Sequence, residues 1–561
     1  MMAASHAGGP AASGPARHGG MTTLSANDAR RGWDYDRLTA ALFLAVFVLV
    51  LLTFSDYGIS WDEDYHFWYG FRVLDYYRSF FHDTTALTSP PISYYGAAFD
   101  ATAALLSQIS PLGSYETRHL LNALIGILGI LGTAKLARLL AGPRAGFWAA
   151  LLLVFTPNYY GHMFNNPKDI PFAAASVWSL YYMARIVPAL PRPALGEVAK
   201  LGLAIGLALG VRVGGLLLLC YLALAIGAVL ALRAWRARSW RKLALETATA
   251  AWRVGLPVLL TAYPLMLLCW PWAQLDPLLR PIQALADFSH HPYAAKILFD
   301  GNYYLPPAVP RLYLPVHILL KLPEMLTALA LAAIAVGVMR LRRAPAPAAQ
   351  SVIAFGLVGV AAIFPVLYAV AIHATLFDGM RHFIFVVPAI ACLAGIAIDR
   401  CAQGLSNRPR LRLASASLVT LYLAQLLYFM VALHPDEYVY YNLLAGGLSG
   451  AAGRFKLDYW ANSYREAAHD LTAWLRAKDG ARFEHERFRV AACGPPGSIV
   501  YFLPPQLVYV ADRNTADFYI AFTKDGCDKS IAGKPVARVE RLGTLLSIVL
   551  DLRKGNTVTT Q

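Results

Sequence analysis

Three carboxylates and an imidazole crowd the segment Trp61-Asp62-Glu63-Asp64-Tyr65-His66, with Phe67 and Trp68 behind them, just beyond an apolar run. Carboxylates this close resist ionising together, so one is expected to be raised toward neutrality and to serve as a base. The flanking aromatics suit a sugar face or a membrane interface. An ordinary acidic loop with an aromatic belt is the plainer alternative. A second polar cluster runs Asn158-Tyr-Tyr-Gly-His162-Met-Phe-Asn165-Asn166-Pro-Lys168-Asp169. There Lys168 and Asp169, with Asn166 beside them, can grip hydroxyls or phosphate, or Asp169 can simply open a helix. A third, Asp378-Gly-Met-Arg381-His382, offers Arg381 to neutralise a phosphate whose bond to a sugar is breaking, or to anchor the chain at an interface. Arg212 stands inside an apolar stretch, as do His317, Lys321 and Glu324, whose i, i+4, i+7 spacing places them on one helix face. Ionisable groups are costly there and point to function. They either pair with one another or offer a cationic face to a lipid phosphate.

The elements that must position these groups are membrane helices. Of 561 residues, 57% are hydrophobic and 15% charged, and the mean hydropathy is +0.46; soluble domains carry nearer one quarter charged residues. The net charge of +15 does not imply nucleic acid. Its basic residues fall in short loops between apolar runs, where they fix membrane orientation. About eleven spans fit the roughly 20-residue length of a bilayer crossing: 37–54, 117–136, 145–161, 170–187, 199–212, 214–232, 254–271, 312–338, 351–371, 383–398 and 413–433. The first follows Arg30, Arg31 and Arg37 and is expected to stay as a signal anchor. Placing the basic loops inside requires 199–232 to be a hairpin broken at 211–215.

That parity puts the N-terminus in the cytoplasm and segments 55–116, 158–169, 272–311 and 434–561 outside. Residues 1–30, rich in Ala, Gly, Ser and Pro, read as a disordered tail, and 31–433 as the transmembrane domain. Residues 434–561 read as a small extracytoplasmic α+β domain. Ser463 and Glu466 are expected to form a capping box, ahead of β-prone runs at 488–493, 498–502, 506–510, 517–523 and 544–551. Cys493 and Cys527 would meet an oxidising compartment, so they are expected to pair; two buried thiols are the alternative.

Trp61-Asp62-Glu63-x-x-His66-Phe67 resembles the Asp-Glu signature of the GT-C membrane glycosyltransferases, the superfamily of protein O-mannosyltransferases and the lipid A aminoarabinose transferase. The resemblance to its bacterial branch extends through 166–172, 305–323, 381–388 and 440–460, covering roughly residues 37–480. It implies a GT-C-like bundle in a bacterial inner membrane. It also implies a polyprenyl-phosphate-linked sugar donor and inverting transfer to an acceptor hydroxyl on the periplasmic face. By resemblance Asp62 is the general base, with Asp64 as an alternative, and Glu63 and Asp169 orient it or bind hydroxyls. Lys168, Arg212, Lys321 and Arg381 would steady the departing phosphate, and His66, Asn166 and His382 would bind substrate. The acceptor, whether lipid, polysaccharide or protein, stays open. No cofactor is implied, and a divalent cation stays open because no full ligand set is readable. A transporter or flippase of lipid-linked sugars is the rival from another class; it would place its ionisable groups nearer the bilayer midplane.

Overall fold

A computed structural model describes residues 26–289, 295–341 and 349–553. The tail expected over 1–30 lies, as far as residue 25, outside them; residues 26–30 begin helix α1 (Ala26–Thr53). Among the described residues eight helices are long and apolar enough to cross a membrane, nine if one bent pair counts as a single span. The chain is a polytopic helical membrane protein with a small sheet domain at its C-terminal end.

After α1 come α2 (Trp61–Arg78), α3 (Ala98–Ser107), α4 (Ser114–Ala141), α5 (Pro143–Val154), α6 (Pro157–Asn165), α7 (Asp169–Ile186) and α8 (Leu195–Leu209). The stretch 55–116, expected as a loop, therefore carries two helices, α2 and α3. The expected span 145–161 is two helices, because the chain leaves helical geometry at Thr156 and Pro157 opens the next helix. At 12 residues α5 is short for a bilayer. It packs closely on the helix Val387–Gly404: a Cβ on Gly395 would stand 2.5 Å from the Ala149 nitrogen. Small residues permit this approach, which is how helices bind in lipid.

The hairpin over 199–232 is present, with α8 and the helix Leu216–Ala237 joined through Arg212 and a short turn. The span expected at 312–338 is instead broken. Helix Tyr313–Lys321 and the following helix from Glu324 meet at 115°. Pro323 disfavours helical geometry in the residue before it, and Leu322 is extended at φ −94°, ψ 149°. The break takes Glu324 away from the face that His317 and Lys321 share on Tyr313–Lys321. His317 Nδ1 lies 2.8 Å from the Tyr313 carbonyl, while Glu324 accepts from Tyr422 and from the Leu443 amide at 2.6 and 2.8 Å.

A hairpin of β1 (Ile297–Phe299) and β2 (Asn302–Tyr304) lies between the last two regions. The C-terminal domain carries β3 (Phe488–Ala492), β4 (Leu507–Tyr509), β5 (Phe518–Phe522), β6 (Lys534–Arg541) and β7 (Thr544–Asp551). They form one sheet in the order β4-β3-β5-β7-β6, parallel around β3 and antiparallel elsewhere. Helix Tyr464–Asp479 buries Ala467, Ala468, Leu471 and Leu475 in a core shared with Val490, Phe518 and Ile520. Four expected runs are strands. The fifth, 498–502, follows two prolines and starts as the helical turn Gly497–Val500, whereas β6, with charges along it, went unread. Ser463 does not cap by a box: its hydroxyl donates to Asp458 at 2.5 Å, and Glu466 pairs with Arg541.

The domain sits on the end of the bundle that carries the α1–α2 connection. Trp61 N–H donates to the Trp460 carbonyl at 3.0 Å, Tyr501 to Glu116 at 2.7 Å, and His434 bridges Asp56 and Glu437 at 3.1 and 2.8 Å. Burial lowers the His434 pKa, but the bonds to Glu437 and Asp56 outweigh it and raise it to about 9. Its contribution to stability is therefore complete below the unfolded value near 6.5 and is lost as pH climbs through 9. Thermal midpoints of wild type and His434→Gln should differ at pH 6 and converge by pH 10; a constant gap across that range would deny His434 this role. Cys493 and Cys527 are joined by a disulfide and four cysteines are free. Denatured, unreduced protein should thus titrate four thiols with Ellman's reagent, rising to six on reduction; six before reduction would dissolve the bond.

Candidate functional site

The start of α2 is fixed by chain segments far away in sequence. Ser60 donates its hydroxyl to the Asn165 carbonyl at 2.9 Å, and its N–H donates to the Glu63 carboxylate at 3.2 Å. Glu63 also lies 3.1 Å from His119 Nε2. Glu63 is thus buried in a capping box with Ser60, and its carboxylate is turned to the helix start. Trp61 is held on its other side by the C-terminal domain. Lys524 Nζ stands 4.4 Å from the indole centre, and Gly494 approaches so closely that a Cβ there would lie 3.1 Å from the ring. With φ at +97°, Gly494 is glycine for its backbone as well.

Asp62, the residue between these fixtures, is shared by two cations. Lys168 Nζ donates to its Oδ2 at 2.6 Å and Arg381 Nη1 donates to the same oxygen at 2.7 Å. The side chains are 21%, 8% and 3% exposed, respectively. Arg381 also reaches Asp378 at 3.4 Å and lies over the rings of Trp460 and Phe377, at 5.0 and 5.4 Å. Beside this cluster Arg212 is paired with Asp169. Asn166 holds Asp169 from both sides, donating to its carboxylate and accepting from its N–H, each at 3.0 Å.

The electrostatics reverse one expectation. Crowded acids were expected to push a carboxyl up, but the three acids diverge. Asp62 turns to Lys168 and Arg381, Glu63 to Ser60 and His119, and Asp64 to Tyr115, whose hydroxyl donates to it at 3.0 Å. Burial does raise the Asp62 carboxyl, yet Arg381 and Lys168 outweigh it and hold it well below the usual carboxylate range. Among the described residues no group of three His, Cys, Asp or Glu side chains is placed to hold a metal ion.

Of the residues singled out in the sequence, Asp62, Lys168 and Arg381 meet directly, and Asp169, Asn166 and Arg212 form the adjoining group. Lys321 is held elsewhere than on Asp62: it donates to the Tyr438 carbonyl at 3.0 Å and lies 4.3 Å from the Tyr441 ring centre, with its Cε beside Gly379 in the turn that carries Arg381. His382 packs edge-on to Phe377 at 4.9 Å. His66 faces Asp100 at 2.6 Å. Asp100 and Arg118 stood in no motif singled out in the sequence, and Asp378, Asp458 and Trp460 stood in motifs without a role of their own. Asp100 alone among the residues of α3 carries a charge, and Arg118 and His119 sit at the mouth of a span; such placement is the signal that was available.

Residues 99–261 match the family model described as dolichyl-phosphate-mannose-protein mannosyltransferase. That segment holds Lys168, Asp169 and Arg212 of the site. No curated protein matches the chain. Among solved structures, ArnT from Cupriavidus metallidurans is similar in the apo state and bound to undecaprenyl phosphate, with TM-scores of 0.47 and 0.48. Each is 16% identical; the matches cover 93% and 92% of this chain and 98% of ArnT. The oligosaccharyltransferase AglB from Archaeoglobus fulgidus, with an inhibitory peptide and a dolichol-phosphate, has a TM-score of 0.46 at 13% identity, covering 86% of this chain and 69% of its own.

Two cations converging on one carboxylate oxygen make an anion site already filled by the protein's own anion. Asp62→Ala leaves Lys168 and Arg381 facing each other without it. Removing one partner of a buried pair costs about 3–5 kcal/mol, so the thermal midpoint should fall, and added inorganic phosphate should restore part of the loss. A midpoint indifferent to phosphate would show that the two cations do not form an anion site.

Proposed function

We propose that the chain is an inverting glycosyltransferase that moves one sugar from a polyprenyl-phosphate donor to an acceptor hydroxyl on the outer, periplasmic face of a bacterial inner membrane. The observation that carries this reading is the sharing of Asp62 by Lys168 and Arg381 at the end of the bundle covered by the C-terminal domain. The family match over 99–261 supports the same class of donor.

The donor phosphate competes with Asp62 for its two cations. As Lys168 and Arg381 turn to the phosphate, the carboxylate loses the partners that suppress its basicity, and its pKa rises toward the ordinary value. The resting ion pairs therefore keep the base idle until donor arrives. Asp62 then takes the proton of the acceptor hydroxyl as that oxygen attacks the anomeric carbon from the side opposite the phosphate. The bond from carbon to phosphate oxygen breaks with its electrons staying on phosphate, where the two cations meet the developing charge. Arg212, set against Asp169, extends the positive wall. A phosphate already is a good leaving group and needs no proton from the protein. The sidedness is supported by the far end of the bundle, where the basic residues Arg138 and Arg144 pair with Asp36 and Asp399.

Asp62→Asn should bind polyprenyl phosphate at least as tightly as wild type, since the competing charge is gone, and should transfer no sugar. Binding is read with labelled lipid in detergent and transfer by mass spectrometry of the product. Turnover within tenfold of wild type would remove Asp62 from its role as base. Movement of labelled donor across vesicles without any transfer product would instead favour a flippase.

A further inference from the structure

A cleft of about 300 Å³ lies between the β1–β2 hairpin, the segment 452–457 and the loop 523–529 of the C-terminal domain. That volume is at the lower end for small-molecule sites, about 300–1,000 Å³. Its three walls are distant in sequence, and each is fixed by contacts of its own. The Gly301 N–H of the hairpin donates to the Arg454 carbonyl at 3.0 Å, and Arg454 pairs with Asp300 at 2.6 Å. The loop is pinned by the Cys493–Cys527 bond and turns through left-handed geometry at Asp525 and Gly526, with φ of 54° and 74°. Lys456 joins the walls: its Nζ lies 3.1 Å from Asp525 and donates to the Lys296 carbonyl at 3.1 Å.

The charged groups lining the cleft are Lys456, Lys524, Lys529, Asp525 and Asp528. Lys456 and Asp525 neutralise each other. Lys524 has no carboxylate partner among the described residues: its Nζ donates to the Tyr459 carbonyl at 3.2 Å and lies over Trp61. Asp528 and Lys529 make no ion pair among the described residues. Two ammonium groups and one carboxylate are therefore left for a ligand. Tyr303 on the hairpin is close to the loop's acids: burial first, then Asp525 and Asp528, raise its hydroxyl above the ordinary value. Lysines meet an acidic group as point charges, whereas the Asp528 carboxylate accepts from hydroxyls and Thr523 both donates and accepts. An acidic group together with hydroxyls describes an acidic sugar.

We infer that this cleft binds a sugar unit of the acceptor that carries a carboxylate or phosphate, remote from the hydroxyl that reacts. Its assignment to the acceptor rests on the transferase reading above and extends it. The cleft and the catalytic centre share one wall. Lys524 lines the cleft, and its ammonium stands 4.4 Å from the indole of Trp61, whose chain neighbour is Asp62. Tyr459, whose carbonyl Lys524 holds, precedes the Trp460 that lies against Arg381. The donor phosphate has its own cations in Lys168 and Arg381, so the charge of the cleft serves the other substrate. A unit bound beyond the wall takes no part in the chemistry. It contributes binding energy from a non-reacting part of the acceptor and selects acidic acceptors over neutral ones.

Equilibrium binding to the full-length protein in detergent tests this. The probes are tetragalacturonate and glucose 6-phosphate, which carry the acid as carboxylate or phosphate, neutral maltotetraose, and tetraglutamate, an acid without sugar hydroxyls. One or both acidic sugars should bind, which tells carboxylate from phosphate, and the other two probes should not. Lys529→Glu should weaken that binding about tenfold. Lys534→Glu, at an exposed lysine of the same domain outside the cleft, should leave it unchanged. Equal losses in the two variants, no binding of either acidic sugar, or equally tight binding of maltotetraose or tetraglutamate overturns the inference. The assay contains no donor, so its failure beside intact sugar transfer strikes the cleft alone. Binding as expected by a protein that transfers no sugar strikes the transferase reading, and with it the assignment to an acceptor.

Discussion

One carboxylate oxygen organises this end of the molecule. Asp62 lies 106 residues from Lys168 and 319 from Arg381, yet both reach the same atom. In a poorly solvated setting neither cation can stay buried without an anion, nor the anion without a cation. The cluster thus demands that α2, the turn before α7 and the turn before Val387–Gly404 be brought to one place. The remaining contacts serve this demand. Ser60 and Glu63 fix the first turn of α2, Asn166 squares Asp169 to Arg212, and Trp460 roofs the Arg381 guanidinium.

This arrangement also sets the acidity of Asp62. An acid surrounded by acids would gain basicity from repulsion, whereas Asp62 has lost it to attraction. The difference is one of direction: each neighbouring carboxylate points to its own donors, so their charges do not add at one spot. Basicity then depends on what occupies the cations, and under the proposed function a donor phosphate is suited to displace the carboxylate from the lysine and the arginine.

Much of the bundle was legible in the sequence because apolar length and loop charge are one-dimensional properties. The hairpin around Arg212 followed from charge parity alone, and the meeting of Asp62, Lys168 and Arg381 followed from their shared side. What escaped was direction. Spacing placed His317, Lys321 and Glu324 on one face, but Pro323 turned the chain by 115° and sent the three to separate partners. The hold of Glu63 on the helix start escaped notice because Ser60, three residues earlier, was not weighed as an N-cap. Asp100 was hidden in a segment taken for a loop, and its partner Arg118 looked like one more charge at a span end, whereas the fold buries it. Ser463 and Glu466 had capping-box spacing, but each had a stronger partner across the fold, Asp458 and Arg541.

The clamp on Trp61 has a consequence for how such a chain comes alive. The indole next to Asp62 is gripped by residues near 494 and 524, two loops that the Cys493–Cys527 bond ties together. Because these loops follow Asp62, Lys168 and Arg381 in the chain, the Trp61 side of the centre is complete only once the C-terminal domain has folded against it.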